Sequence, residues 1–255
     1  MTTPAPVPVR VLGGPTTLIE YAGLRLLTDP TFDEPQTYEN GGLPLTKTAP
    51  SPVQPDQVVP VDAVLLSHDE HPDNLDLSGR AFLAQAPIVL TTPSGSTRLA
   101  DQLGDKVRGL APWSTHELTA PDGTTVTVTG LPAQHGPDGS LPVVGEVVGF
   151  LLTANGHPTV YVSGDNASLD VVHEIANRVG KVDTAVIHAG AVRTPLFDGA
   201  LLTVDSALAA EAAQILDASH VVGAHTDSWA HFTETREQLE AAFQAAGIGE
   251  RLQRN

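Results

Sequence analysis

The run Val61-Asp62-Ala63-Val64-Leu65-Leu66 is almost wholly apolar, and it stops at Ser67-His68-Asp69-Glu70-His71-Pro72-Asp73-Asn74-Leu75-Asp76. An apolar run this short reads as a strand buried on both faces, as in a sheet covered by helices. Two histidines and four carboxylates then follow within nine residues. Other apolar runs end the same way. His135 follows T-V-T-V-T-G-L-P-A-Q, Asp165 follows T-V-Y-V-S-G, and His225 follows V-V-G-A. One such residue means little, but four strand ends bearing imidazole or carboxylate suit loops that converge on one divalent transition metal.

Composition narrows the ligand set. The chain has 255 residues, ample for a sizeable core, and we read residues 1–255 as a single domain. It contains no cysteine, which excludes disulfides, thiolate zinc sites and cysteine nucleophiles, so any metal is held by His, Asp and Glu. A formal charge of -17 disfavours nucleic acid and anionic membranes as partners. No run approaches the ~20 apolar residues of a membrane span, and the N-terminus lacks the basic and apolar regions of a secretory signal. The expectation is a cytoplasmic protein with a small-molecule substrate, no nucleic-acid or membrane partner, and homo-oligomerisation left open.

Residues 7–11, 16–20 and 24–28 read as β-strands around Tyr21-Ala22-Gly23, ending at Asp29. Residues 30–58 carry six prolines and no regular period, which reads either as a substrate loop or lid or as a disordered surface insertion. Strands are expected at 61–67, 88–92, 124–129, 147–154, 159–163, 184–188 and 221–224. Asn155-Gly156 supplies a hairpin turn. Helices are expected at 79–85, 94–103, 169–179, 205–218 and 235–246. Two packed sheets with helices outside accommodate this order.

The His68–Asp76 cluster has two readings. A helix N-terminus with Ser67 as cap explains Asp69, Glu70 and Asp73 but not two histidines. A metal loop explains both. The chain resembles the metallo-β-lactamase-fold hydrolases, and within them the ascorbate-6-phosphate-lactonase-like branch. The resemblance runs through G-G-P-T-T-L-I-E (Gly13 to Glu20), L-L-T-D-P-T-F (Leu26 to Phe32), Leu65 to Asp76, and L-P-A-Q-H-G-P (Leu131 to Pro137). It continues through Y-V-S-G-D-N (Tyr161 to Asn166), A-V-I-H-A-G (Ala185 to Gly190) and G-A-H-T-D-S-W-A-H-F (Gly223 to Phe232). It implies an α/β (α+β) fold, a four-layer αββα sandwich of two mixed β-sheets flanked by helices.

The resemblance also implies a ligand set. His68, His71 and His135 match the histidines of a first metal, Asp73 the aspartate of a second, Asp165 the bridging aspartate and His225 the final histidine. The family motif H-x-H-x-D-H is altered: two residues separate His68 from His71, and Asn74 replaces its last histidine. An amide oxygen is a poorer zinc ligand than imidazole, which leaves one metal expected and a second open, with Asp69 or Glu70 available to compensate. Zinc is the default, and manganese or iron tolerate the same ligands. Asp29 matches an aspartate that supports the metal loop, since metal-bound imidazoles need an acceptor on their other N–H.

Among the remaining residues, Asp227, Trp229 and His231 are read as pocket-shaping or proton-donating, with a packed surface residue before the last helix an equal reading of His231, and His188 as lining the site. Arg193 or Lys47 could neutralise an anionic group, against the plainer reading of solvated cations. His116, His157, His173 and His220 read as structural or exposed. The expected chemistry is hydrolysis of a small ester or lactone by hydroxide formed on the metal, with Asp73, Asp165 and His231 as the catalytic groups. A phosphodiesterase and a non-catalytic relative with a degenerate second site are the alternatives. No G-x-S-x-G elbow supports serine chemistry.

Overall fold

A computed structural model describes residues 5–39 and 43–254; residues 1–4 of the N-terminal reading and residues 40–42 of the 30–58 loop lie outside them. Strands β1 (Val9–Val11), β2 (Thr17–Tyr21) and β3 (Leu24–Thr28) form an antiparallel meander. A two-stranded ribbon, β4 (Thr37–Tyr38) with β5 (Leu45–Thr46), and the one-turn α1 (Pro55–Val58) follow. The proline-rich segment is therefore partly regular rather than wholly irregular. Next come β6 (Ala63–Leu65), α2 (Leu77–Phe82), β7 (Val89–Thr91), α3 (Pro93–Leu103) and β8 (Val107–Gly109). The first sheet has the order β1-β2-β3-β6-β7-β8, parallel from β3 onward.

The second sheet uses β9 (Thr115–Thr119), β10 (Thr125–Pro132), β11 (Val148–Ala154), β12 (Val160–Val162), β13 (Thr184–His188) and β14 (His220–Ala224) in that spatial order. Helices α4 (Leu141–Val144), α5 (Leu169–Val179), α6 (Ser206–Ile215) and α7 (Arg236–Ala245) connect or close these strands.

Alternation along each strand builds four layers. Ala63 and Leu65 of β6 face the inter-sheet core with Phe150, Val162 and Val222. Val64 and Leu66 face outward onto Phe82 and Leu99 of α2 and α3. In β13, Val186 faces the inter-sheet core, while Ala185 and Ile187 pack beneath Ile175, Ala209 and Phe243 of α5, α6 and α7. Each fully buried Leu, Ile or Phe adds about 1.5–3 kcal/mol of transfer free energy. This is the predicted αββα sandwich.

Strand direction positions the site. β12, β13 and β14 are mutually parallel, and β10 is antiparallel to β11, which is antiparallel to β12, so all four point one way. Asp29, His68, His135, Asp165, His188 and His225 stand at or just beyond the C-terminal ends of β3, β6, β10, β12, β13 and β14. Sites in α/β sheets form outside the carboxyl ends of parallel strands. Among the described residues, no helix is long and apolar enough to cross a membrane.

Candidate metal centre

His68, His71 and His135 meet through their ring nitrogens. Nε2 of His68 lies 2.9 Å from Nδ1 of His71, and Nε2 of His135 lies 3.3 Å from the same atom. The Nδ1 of His135 is 2.8 Å from the Leu202 carbonyl, which only accepts, so Nδ1 carries the proton and Nε2 presents a lone pair. Burial, reinforced by neighbouring imidazoles, pushes His68 well below its ordinary pKa and His71 down to about 4. Both rings are thus held neutral, the form that ligates metals. Ligand atoms about 2.0–2.1 Å from a tetrahedral zinc lie roughly 3.3–3.4 Å apart, close to the spacing of these nitrogens.

Asp165 faces two ways. Its Oδ2 is 4.0 Å from His68 Nε2 and 3.8 Å from His135 Nε2. Its Oδ1 is 2.8 Å from His188 Nδ1 and 3.6 Å from His225 Nε2. Asp73 joins the second side, with Oδ2 3.3 Å from His225 Nε2 and 2.9 Å from His231 Nε2. Burial alone would raise both carboxyls, but His231 and His225 hold Asp73 well below the usual carboxylate range, and His225 and His188 do so for Asp165. Asp73 Oδ1, both ring nitrogens of His225 and Nε2 of His188 are buried without a hydrogen-bond partner. Buried polar atoms are almost always paired; a cluster of orphaned donor atoms with this chemistry fits a divalent cation.

The surrounding residues take the following places. Asp29 accepts the Ser67 N–H at 2.7 Å through Oδ1 and sets Oδ2 3.8 Å from His188 Nε2. Burial pushes its carboxyl up to about 7 against the pull of His188 and Ser67. Asn74 offers Asp165 an amide N–H at 3.5 Å, and its Oδ1 is buried without a hydrogen-bond partner. Asp69 and Glu70 do not compensate for it. Both carboxylates pair with the Arg98 guanidinium, Asp69 also with Arg80, because the extra residue between the histidines turns these acids toward α2 and α3.

Lys47 is neither a substrate cation nor solvated: it is buried, its Nζ 2.9 Å from Asp76 Oδ2. Asp227 lies off the cavity, its Oδ1 accepting the Gly14 N–H and the Ser228 hydroxyl, which removes it as a proton donor to substrate. Trp229 also lies outside the cavity. It pairs by a β-bridge with Lys47 and packs 5.6 Å from Tyr38, anchoring the proline-rich segment. His231 does line the cavity. His116, His157, His173 and His220 belong to neither histidine group.

Backbone strain marks the same place. His225 and Asp29 adopt φ of 64° and 34°, a region that side chains other than glycine seldom occupy and that concentrates at functional sites. Gly190 makes room for His225: a Cβ there would lie 2.2 Å from the His225 carbonyl oxygen and 2.8 Å from its Nδ1. Gly190→Ala is expected to cost about 1–3 kcal/mol through overpacking and to weaken cation retention. Thermal denaturation with and without added zinc measures both, and unchanged curves would contradict the contact.

A cavity of about 300 Å³ opens over His71, Asp73, His135, Asp165 and His231. Its walls include Leu45, Val144, Val192 and Leu202, and Arg193 is the one lysine or arginine among the described lining residues. Leu43, Val143 and Leu196, three of five large apolar side chains left exposed among the described residues, also line it. The sequence reading missed this rim and the Leu202 carbonyl that orients His135. Neither has a sequence signature, since an exposed leucine and a backbone carbonyl look like any other.

Two mixed sheets with histidines and aspartates converging at their shared edge define the metallo-β-lactamase fold. The chain belongs to the family described as Beta-lactamase superfamily domain, which matches residues 24–226. It is 25% identical over 240 residues to the mitochondrial N-acyl-phosphatidylethanolamine-hydrolyzing phospholipase D of Saccharomyces cerevisiae. That match covers 91% of this chain and spans half the length of the relative. Its fold is similar to the crystal structure of isothiocyanate hydrolase from Delia radicum gut bacteria (TM-score 0.80, 21% identity, 96% of this chain and 94% of that one). It is also similar to Igni18, a metallo hydrolase from Ignicoccus hospitalis (TM-score 0.70, 17% identity, 96% and 93% covered).

Proposed function

We propose that this chain is a metal-dependent hydrolase acting on a small, largely apolar ester or lactone. The observation that carries the proposal is a three-imidazole set, His68 and His135 buried and His71 partly so, opening into a cavity whose mouth is apolar. His68, His71 and His135 would hold a divalent cation, with Asp165 reaching it from the second sheet. Bound there, the cation supplies Lewis acidity toward water and toward the substrate's oxygen.

The chain's own groups do the rest. Asp73 and Asp165, kept ionised by their histidine neighbours, orient water and accept its proton. His231 stands on the cavity wall with Nε2 2.9 Å from Asp73 Oδ2, where it can relay that proton to a leaving oxygen. Leu43, Leu45, Val143 and Leu196 receive the apolar part of the substrate and exclude water, so the 30–58 segment acts as the substrate loop. The resemblance to the lactonase-like branch supports a cyclic ester.

A phosphodiester is the second reading, favoured by the name of the yeast relative. Against it, Arg193 is the one lysine or arginine among the described residues lining the cavity, and its guanidinium already donates to the Gly199 carbonyl at 2.9 Å and lies 3.9 Å from Asp205 Oδ2. A panel of lactones and aryl esters run beside bis(p-nitrophenyl) phosphate, with and without chelator, separates the two. We expect turnover of the carbonyl substrates, abolished by chelation and restored by metal. Turnover confined to the phosphodiester would replace the first reading with the second, and chelator-insensitive turnover would reject both.

A further inference from the structure

The family motif lost a histidine at Asn74, and the geometry points to where it went. We propose that His188, at the end of β13, takes the place of that missing imidazole and completes a second cation site with Asp73, Asp165 and His225. The proposal rests on the metal-dependent reading above and extends it from one cation to two.

Four observations carry it. Asp165, His188 and His225 each place a ligand atom within 4.8 Å of the others, and all three are buried. The two imidazoles of His188 and His225 stack, with ring centroids 5.2 Å apart and planes 2° from parallel. The second site's other contacts, 3.3 Å from His225 Nε2 to Asp73 and 3.6 Å to Asp165, bracket the roughly 3.3–3.4 Å expected between ligands of one tetrahedral ion. Finally, the His188 ring is oriented with Nδ1 toward the centre and Nε2 away from it, buried without a hydrogen-bond partner. Its Nδ1 faces Asp165 and its Nε2 faces the Asp29 carboxylate, which also holds the metal loop through Ser67 N–H. A carboxylate behind an imidazole fixes its tautomer and orientation.

Asn74 meets Asp165 with its amide N–H, and its Oδ1, a poorer ligand than imidazole, is buried without a hydrogen-bond partner. Asp69 and Glu70 are committed to Arg98. His188 is the imidazole left in the shell of Asp165 that the first cation does not use and that is not already His225. The competing role is an imidazolium wedged between Asp165 and Asp29, with no cation beside it.

Zinc stoichiometry and affinity by elemental analysis and calorimetric titration decide between these roles. Full-length protein, stripped by chelator and reloaded with zinc, is compared with His188→Ala and, should that fail to fold, His188→Gln. We expect two zinc ions per wild-type chain and one in either variant. First-ion affinity should be unchanged, and second-ion affinity should fall by more than the roughly 10–100-fold that loss of a mere supporting partner costs. Asn74→His alone should add no further ion.

Two ions retained at wild-type affinity in a folded His188 variant would overturn the assignment. So would one ion in wild type that rises to two in Asn74→His. Zinc absent from the wild type would instead overturn the metal-dependent reading itself.

Discussion

His68→Ala and His135→Ala are each expected to purify folded, without the first cation, and with hydrolysis at background. The two rings come from different sheets, His68 after β6 and His135 after β10, and both converge on His71 Nδ1, with their centroids 5.4 Å apart. Removing either leaves two nitrogens and the Asp165 carboxylate, one direct ligand fewer than the intact site offers. The loss should therefore exceed the roughly 10–100-fold that changes in supporting partners cause. Both rings are buried, so each substitution also leaves a small cavity, and its stability cost is measured on the same preparation. Elemental analysis, circular dichroism and the substrate panel on one preparation test the claim. Full metal content in both variants would sink the ligand assignment, whatever the activity.

Lys47→Ala is expected to destabilise the protein by about 3–5 kcal/mol, the cost of stranding one member of a buried ion pair. For a chain of this size that is a fall in Tm of about 6–20 °C. Asp76 is the reason. Its Oδ1 accepts the Gly79 N–H and caps α2, while its Oδ2 accepts both Asp33 N–H and Lys47 Nζ. Without the ammonium that carboxylate stays buried and uncompensated. Lys47 also sits 5.7 Å from the Trp229 ring and joins that residue by a β-bridge, so its loss should loosen the segment bearing Leu43 and Leu45 and raise KM. Adding Asp76→Asn to Lys47→Met should recover much of the loss, because the amide oxygen still caps α2 without the charge. A Lys47→Ala melting curve within about 2 °C of wild type would show that the pair carries no such weight.

Period and turn chemistry were enough for most of the scaffold. The apolar run before Ser67 became β6, Asn155-Gly156 joined β11 to β12, and the meander at residues 9–28 matched its reading within two residues. Strand β9, Thr115–Thr119, was not anticipated. It is an edge strand with an exposed alternate face, and its T-H-E-L-T carries almost no apolar signal. Strand β8 is three residues long and was lost to the same weakness. Lys47 misled for a different reason. Lysine is so seldom buried that its pairing with Asp76, 29 residues away, could not be read from either position alone.

The order of residues along the chain settled which groups could meet a metal. With no cysteine, only imidazole and carboxylate were on offer, and hydrophobic period put them at strand ends. Tertiary structure decided which of those groups share a centre and what each one does there. Asp69 and Glu70 lie between the two histidines yet answer to Arg98, while His188, more than a hundred residues beyond them, faces Asp165 at 2.8 Å. Adjacency in sequence sets only the direction in which a side chain leaves the backbone. Which partner it finds depends on strand register and helix placement across the whole fold, and contacts between distant segments leave no local pattern to read.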